Sequence, residues 1–128
     1  SNDGLTWRVT RVPAMVLDQP WEQQRLFYPY VIEYAGKLLM WYGSYDSRKP
    51  QMQTAIGFAT SDDGVTWHKH AGNPVFEPEP ANAWESHYTT SQTVRKLDDG
   101  GWRIWYASRT KPPFTHKYFA IGTAHLPQ

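Results

Sequence analysis

Two glutamates each stand directly after a tryptophan, in Trp21-Glu22 and Trp84-Glu85, 63 residues apart. Carboxylates repeated in this way can converge on one bond. If one is held protonated and the other ionised, the pair can act as acid and base on a glycosidic linkage. Glu85 is the stronger of the two because Ser86-His87-Tyr88 follows it, a run of hydrogen-bonding groups. His87 can serve as a base or as a donor to a hydroxyl near neutral pH. Trp84, Tyr88, Tyr28 and Tyr30 offer ring faces on which the C–H side of a sugar can stack, and Arg25, Asp46 and Arg109 offer polar groups to its hydroxyls. The candidate catalytic residues are therefore Glu85 and Glu22. The candidate substrate-binding residues are His87, Tyr88, Trp84, Tyr28, Arg25, Asp46 and Arg109. The same residues have structural roles open to them: a glutamate can cap a loop or pair with Arg25 or Arg109, and Asp46 can be an exposed turn residue.

Composition narrows the partners. The formal net charge is +1 with both signs interspersed, which favours neither nucleic acid nor an anionic membrane surface. There is no cysteine, so a disulfide framework and a thiolate metal site are excluded. His68, His70, His116 and His125 have no compact metal spacing, and neither a metal nor another cofactor is expected. No run is long enough to span a bilayer. A soluble protein is expected, cytoplasmic or secreted after removal of a signal. Aromatic residues make up 16% of the chain, including seven Trp and eight Tyr, so the buried area comes from few, large, amphipathic side chains.

The elements that must position these groups are repeated. Ser1 to Trp7 reads SNDGLTW against SDDGVTW at Ser61 to Trp67, and AIGFA at Ala55 returns as AIGTA at Ala120. Trp41-Tyr42-Gly43-Ser44 returns as Trp105-Tyr106-Ala107-Ser108. With the Trp-Glu pair the displacements are 60, 65, 64 and 63 residues, a period suited to solenoids and propellers. Alternation and turn residues predict strands over 26–33, 38–45, 54–60 and 65–70, then 87–96, 102–108 and 118–124, with an unattached strand at 5–10. No substantial helix is expected. The fold class is all-β, a single partial propeller unit over 1–128 with two antiparallel blades, the first at 21–70 and the second, incomplete, at 84–126. The two blades are expected to pack face to face through Trp41, Met40, Ile56, Ile104 and Trp105. Asp3, Asp62 and Asp63 read as turn-forming residues, because short side chains there can accept backbone N–H bonds.

The series Trp21-Glu22, Pro29, Gly36-Lys37, Met40 to Gly43, Ile56 to Trp67 and Asn73-Pro74-Val75 resembles the repeated blade of the five-bladed glycosidase-like propellers, the superfamily of arabinanases, β-xylosidases and fructosidases. The resemblance implies a glycan-directed protein, with hydrolysis by carboxylates at the propeller mouth or, alternatively, non-catalytic carbohydrate binding or scaffolding. An oligo- or polysaccharide is the implied partner. Two blades cannot close a ring, so residues 5–10 are expected to complete the second blade of a neighbouring copy. A trimer is preferred and a dimer is possible; a longer parent protein is the other way to close the ring.

Overall fold

In the computed structural model, residues 1–49, 53–113 and 120–126 are described. The chain forms two antiparallel sheets. The first has the order β1-β2-β3-β4, with β1 Glu22–Tyr34, β2 Lys37–Asp46, β3 Thr54–Ser61 and β4 His68–Lys69. The second has the order β5-β6-β7, with β5 Tyr88–Lys96, β6 Trp102–Arg109 and β7 Ala120–Leu126. The β1–β2 turn puts Ala35 and Gly36 at φ 52° and 76°, the paired left-handed conformation that a two-residue hairpin requires. Among the described residues the helical structure is one 3₁₀ turn, Ala83–Glu85, and no helix is long and apolar enough to cross a membrane. Residues 118 and 119, where the last strand was expected to begin, and His116 lie outside the described residues.

One strand expectation is corrected, and the expected pairing of residues 5–10 is with a second copy rather than within this chain. The fourth strand is only His68–Lys69, because Val65 and Thr66 give their amides to Asp63 Oδ1 and so cannot enter the ladder. Residues 5–10 form no strand within this chain: the Leu5 and Thr6 amides bond to Asp3 Oδ1, and Leu5, Trp7 and Val9 are exposed. A strand needs a neighbour to satisfy its backbone, and among the described residues no strand pairs with this segment.

The sheets stack with β5 running across β1, β2 and β3. Thr54 Oγ1 donates to the Thr89 carbonyl at 3.0 Å and accepts from the Thr89 amide at 3.1 Å, tying β3 to β5. Further along, an apolar cleft of about 520 Å³ separates the sheets, lined by Trp41, Phe58, Phe76, Val94, Trp102 and Ile104. Trp41 lies 5.9 Å from Trp102 and 5.1 Å from Phe58, ring centre to ring centre. The expected interface holds for Trp41 and Ile104 but not for Met40 or Trp105. Successive side chains on a strand point to opposite faces. Met40 therefore joins Trp21, Tyr42, Ala55 and Ala59 on the far side of the first sheet, with Met15, Leu26 and Trp67 packed against them. Trp105, which matches Trp41 in the repeat, is 36% exposed.

Candidate functional site

The first strand of each sheet is interrupted by bulges. In β1 the register slips between Gln23 and Leu26 and again between Phe27 and Tyr30; in β5 it slips between Thr90 and Thr93. Gln24, Tyr28 and Ser91, at these slips, have φ of 65°, 50° and 51°. Such conformations in non-glycine residues cost roughly 1–3 kcal/mol each and persist only where the surroundings enforce them. A bulge also re-aims the side chains next to it. The enforcing groups are visible. Ser44 Oγ donates to the Arg25 carbonyl at 3.0 Å and accepts from the Gln23 amide at 3.3 Å. Ser108 Oγ, its repeat counterpart, donates to the Tyr88 carbonyl. The buried Gln92 uses its amide nitrogen to hold the Tyr28 carbonyl at 2.7 Å and the Trp41 carbonyl at 2.8 Å, clamping the β1 and β5 bulges together.

These bulges aim side chains from both sheets into one groove of about 300 Å³. Arg25, Tyr28 and Tyr45 come from the first sheet and Tyr88 and Arg109 from the second, with Phe27, Thr54 and Thr90 completing the lining. Two guanidinium–ring pairs frame the groove: Arg25 Cζ lies 5.7 Å from the Tyr45 ring centre, and Arg109 Cζ lies 5.0 Å from that of Tyr88. By the repeat, Arg25 corresponds to Tyr88 and Tyr45 to Arg109, so the cation and the ring exchange strands between the two sheets. Tyr28, 57% exposed, stands edge-on to Phe27 at 5.3 Å. Burial raises the pKa of the Tyr88 hydroxyl, against the opposing pull of Arg109. None of the described residues lining the groove is acidic.

The two glutamates sit elsewhere, in equivalent frameworks. Tyr42 Oη donates to Glu22 Oε1 at 2.9 Å, while Lys69 Nζ at 2.8 Å and the amides of Asp18 and Gln19 at 3.0 and 3.2 Å occupy Oε2. Tyr106 Oη donates to Glu85 Oε2, and Asn82 Nδ2 donates to Oε1 at 2.7 Å. Burial, and then the glutamate each one bonds, drives the pKa of Tyr42 and Tyr106 well above the usual phenol range. The tryptophan before each glutamate packs on the tyrosine: Trp21 on Tyr42 and Trp84 on Tyr106, both at 6.1 Å. A side chain at Gly57 would collide with Tyr42 and Trp21, and one at Gly122 with Trp84 and Tyr106, which explains the repeated Ala-Ile-Gly.

The structure thus brings Arg25, Tyr28, Tyr88 and Arg109 together and leaves the other named residues outside the lining of the groove. Glu22, Glu85 and Trp84 lie in the Tyr42 and Tyr106 frameworks. Asp46 is buried, and although burial raises its pKa, bonds from Arg48 Nε at 2.9 Å and Nη2 at 2.7 Å outweigh that and hold it below the usual range. His87 is fully buried, edge-on to Tyr88 at 4.5 Å. Tyr45, Ser44 and Gln92 escaped the sequence reading. Tyr45 had a signal, since it precedes Asp46 at the place where Arg109 stands in the second unit. Among the described residues no cluster of three or more His, Asp or Glu could hold a metal ion.

No family model matches the chain. It is 30% identical over 105 residues to the uncharacterized protein Rv1502 of Mycobacterium tuberculosis, covering 80% of this chain and 33% of that protein. Among solved structures it is similar to a candidate glycoside hydrolase from Parabacteroides distasonis, with a TM-score of 0.66, 22% identity, and coverage of 83% of this chain and 30% of the other. It is also similar to a glycosyl hydrolase from Bacteroides ovatus, with a TM-score of 0.62, 23% identity, and coverage of 81% and 30%. A third similar structure comes from work on the GH130 family of mannoside phosphorylases, which contains glycoside hydrolases that target β-1,2 mannosidic linkages in Candida mannan; its TM-score is 0.62 at 21% identity, with coverage of 81% and 30%. At these identities the likeness is one of fold. The chain spans about a third of the length of the proteins it matches.

Proposed function

We propose that this chain is a glycan-directed propeller unit whose sugar-contacting surface is the groove between its sheets. The observation that carries this reading is the convergence of Arg25, Tyr28, Tyr45, Tyr88 and Arg109 beside three strained bulges. Ring faces beside hydrogen-bonding forks suit a sugar, which has an apolar C–H face and a polar rim. The glycoside hydrolases among the proteins of like fold support the same substrate class. Titration calorimetry against a panel of mono- and oligosaccharides tests it. Tyr88→Ala is expected to weaken binding at least about tenfold, the loss of one stacked ring. Unaltered affinity in Tyr88→Ala and Tyr28→Ala would remove the groove from consideration.

Hydrolysis with Glu85 as acid and Glu22 as partner is the second reading. It is favoured by one feature: Glu85 lies three residues before Tyr88, which lines the groove. Glu85→Gln is then expected to slow turnover of an aryl glycoside by about a hundredfold or more, the usual worth of positioned proton transfer. Unchanged turnover leaves Glu85 the structural role that its bond to Tyr106 describes.

For assembly, we propose exchange of residues 5–10 onto β7 of a neighbouring copy, with three copies preferred over two. The exposed Leu5, Trp7 and Val9 support this, as does a turn at Asp3 that copies the one feeding β4. Native mass spectrometry tests it, and a monomer excludes the exchange.

A further inference from the structure

We infer that Gln92 is a positioning residue of the groove: from the second sheet it holds the backbone under Tyr28, and it acts on a bound sugar through that ring. The inference rests on the groove being a sugar site and names a residue that shapes it. Phe27 pairs with Gly43 and Tyr30 with Trp41, so Tyr28 and Pro29 together stand against the single residue Tyr42. Two residues against one make a bulge, and proline has no amide hydrogen to give to it. Gln92 brings donors from β5 instead. Its Nε2 gives one N–H to the Tyr28 carbonyl at 2.7 Å and the other to the Trp41 carbonyl at 2.8 Å.

Few side chains can form this clamp. An uncharged atom that bonds two carbonyls at once must carry two hydrogens, which a carboxamide nitrogen does and a hydroxyl or carboxylate does not. Gln92 is 4% exposed, and its Oε1 is buried with no hydrogen-bond partner among the described residues, which is unfavourable. Cohesion of the sheets does not require such a group. Thr54 and Thr89 already tie β3 to β5, and Val94, two residues further along β5, is an apolar side chain buried between the sheets.

Tyr28 is unfavourable in the same way. Glycine adopts a φ of 50° freely, whereas tyrosine is strained there. The residue is 57% exposed, so burial of its ring offsets little of that strain. Its position is nevertheless fixed from both sides. Phe27 sits edge-on to Tyr45 at 5.7 Å and over Gly43, where any side chain would collide with the Phe27 ring. Gln92 holds the Tyr28 carbonyl, and the Tyr28 ring is left standing edge-on to Phe27 at the groove. A strained backbone, an exposed ring and a buried amide used only at its nitrogen are accounted for together by a ligand that covers the ring. A ring placed in advance spares that ligand the cost of ordering it.

The test measures binding of glucose, galactose and xylose, and of short oligomers of each, to the full chain by calorimetry. Gln92→Met, close in length but without donors, is expected to weaken binding at least about tenfold, as Tyr28→Ala does. The double variant is expected to bind no more weakly than the weaker single one, because both changes remove the same placed ring. Gln92→Asn keeps the carboxamide but is one methylene too short to reach both carbonyls, and is expected to fall between wild type and Gln92→Met. Val94→Ala is the control for a merely structural effect, expected to lower the thermal midpoint while leaving affinity within about twofold. Without any ligand, the NMR coupling between the amide and α hydrogens of Tyr28 is expected to move away from its left-handed value in Gln92→Met.

Wild-type affinity in both Gln92 variants, with Tyr28→Ala weakened, overturns the assignment and leaves the sugar site standing. An additive loss in the double variant, an equal loss in Val94→Ala, or a Tyr28 coupling that Gln92→Met does not alter has the same consequence. Binding of none of these sugars to the folded wild type overturns the sugar site itself, and the role of Gln92 with it.

Discussion

Glu22 and Glu85 occupy the same place in the two sheets and do the same thing: each receives the hydroxyl of the tyrosine from the second strand, beneath a tryptophan and against a glycine. Their surroundings differ. Glu22 is closed off by Lys69 from β4, whereas no fourth strand lies against Glu85 among the described residues. Trp41 and Trp105 differ in the same sense, one covered by the second sheet and the other 36% exposed. The framework of a blade is thus written into each repeat, but its completion depends on the next element. The groove follows the opposite logic. It is built where the repeats diverge, with arginine and tyrosine exchanged between strands, and residues that break a repeat are freer to serve a ligand than those that keep it.

The largest effect expected from this contrast is at the glutamates. The Glu22 side chain is 0% exposed and that of Lys69 is 7% exposed, so Glu22→Ala would leave a buried cation with only the exposed Asp18 carboxylate and the Val16 carbonyl, each at 2.5 Å. A loss of about 2–4 kcal/mol in unfolding free energy is expected by urea titration, against about 1–2 kcal/mol for Glu85→Ala, where the Tyr106 hydroxyl and the Asn82 amide lose their acceptor. Equal losses at the two sites would mean that Lys69 adds nothing to the first framework. Next comes the tryptophan pair. Trp41→Ala removes the ring between Phe58 and Trp102 and is expected to cost about 3 kcal/mol, whereas Trp105→Ala in the isolated chain is expected to cost less than about 1 kcal/mol. A large loss at Trp105 would show that its face is covered in solution. Smaller again, Gly57→Ala and Gly122→Ala are each expected to cost about 1–3 kcal/mol by overpacking, since the added methyl would lie 2.6 Å from Tyr42 in one sheet and 2.3 Å from Trp84 in the other.

The blades were legible because a repeat announces itself twice, and the Trp-Glu, Trp-Tyr and Ala-Ile-Gly fragments recur for a reason that the packing explains. What was not legible was set by tertiary contact. The three bulges leave no mark in the alternation of β1 and β5, because the groups that hold them lie on other strands: Ser44 of β2 and Gln92 of β5 for β1, and Ser108 of β6 for β5. Which face Met40 or Trp105 presents depends on where the second sheet lies. Arg25 and Arg109 were legible as polar groups, but their convergence with Tyr45 was hidden, since a search for self-similarity passes over positions where the repeats disagree.

The smallest effect contrasts two turns of nearly identical sequence. Ser61 Oγ accepts from the Gly64 amide, Asp63 Oδ1 accepts from the Val65 and Thr66 amides at 2.8 and 2.7 Å, and Trp67 Nε1 donates to the Gly64 carbonyl at 3.2 Å. Ser1, Asp3 and Trp7 repeat each of these bonds, with Leu5 and Thr6 amides at 2.8 and 2.9 Å. The amides it accepts, Thr66 before Val65, lower the Asp63 pKa from 3.8 to about 2, and the equivalent amides at Thr6 and Leu5 lower that of Asp3 further. A depressed carboxylate pKa adds stability that is present above the unfolded value and is lost as pH falls through the folded one. For Asp63 that window runs from about pH 4 to about pH 2. The two aspartates couple to unfolding differently, because Trp67 packs against the core of the first sheet while Trp7 is 72% exposed. Asp63→Asn is therefore expected to flatten the acid limb of the stability curve, and Asp3→Asn to leave it unchanged, as read from thermal midpoints between pH 2 and pH 5. If Asp3→Asn flattens that limb as much, the N-terminal turn is docked on a sheet in solution, and residues 5–10 have found the neighbour that the single chain does not supply.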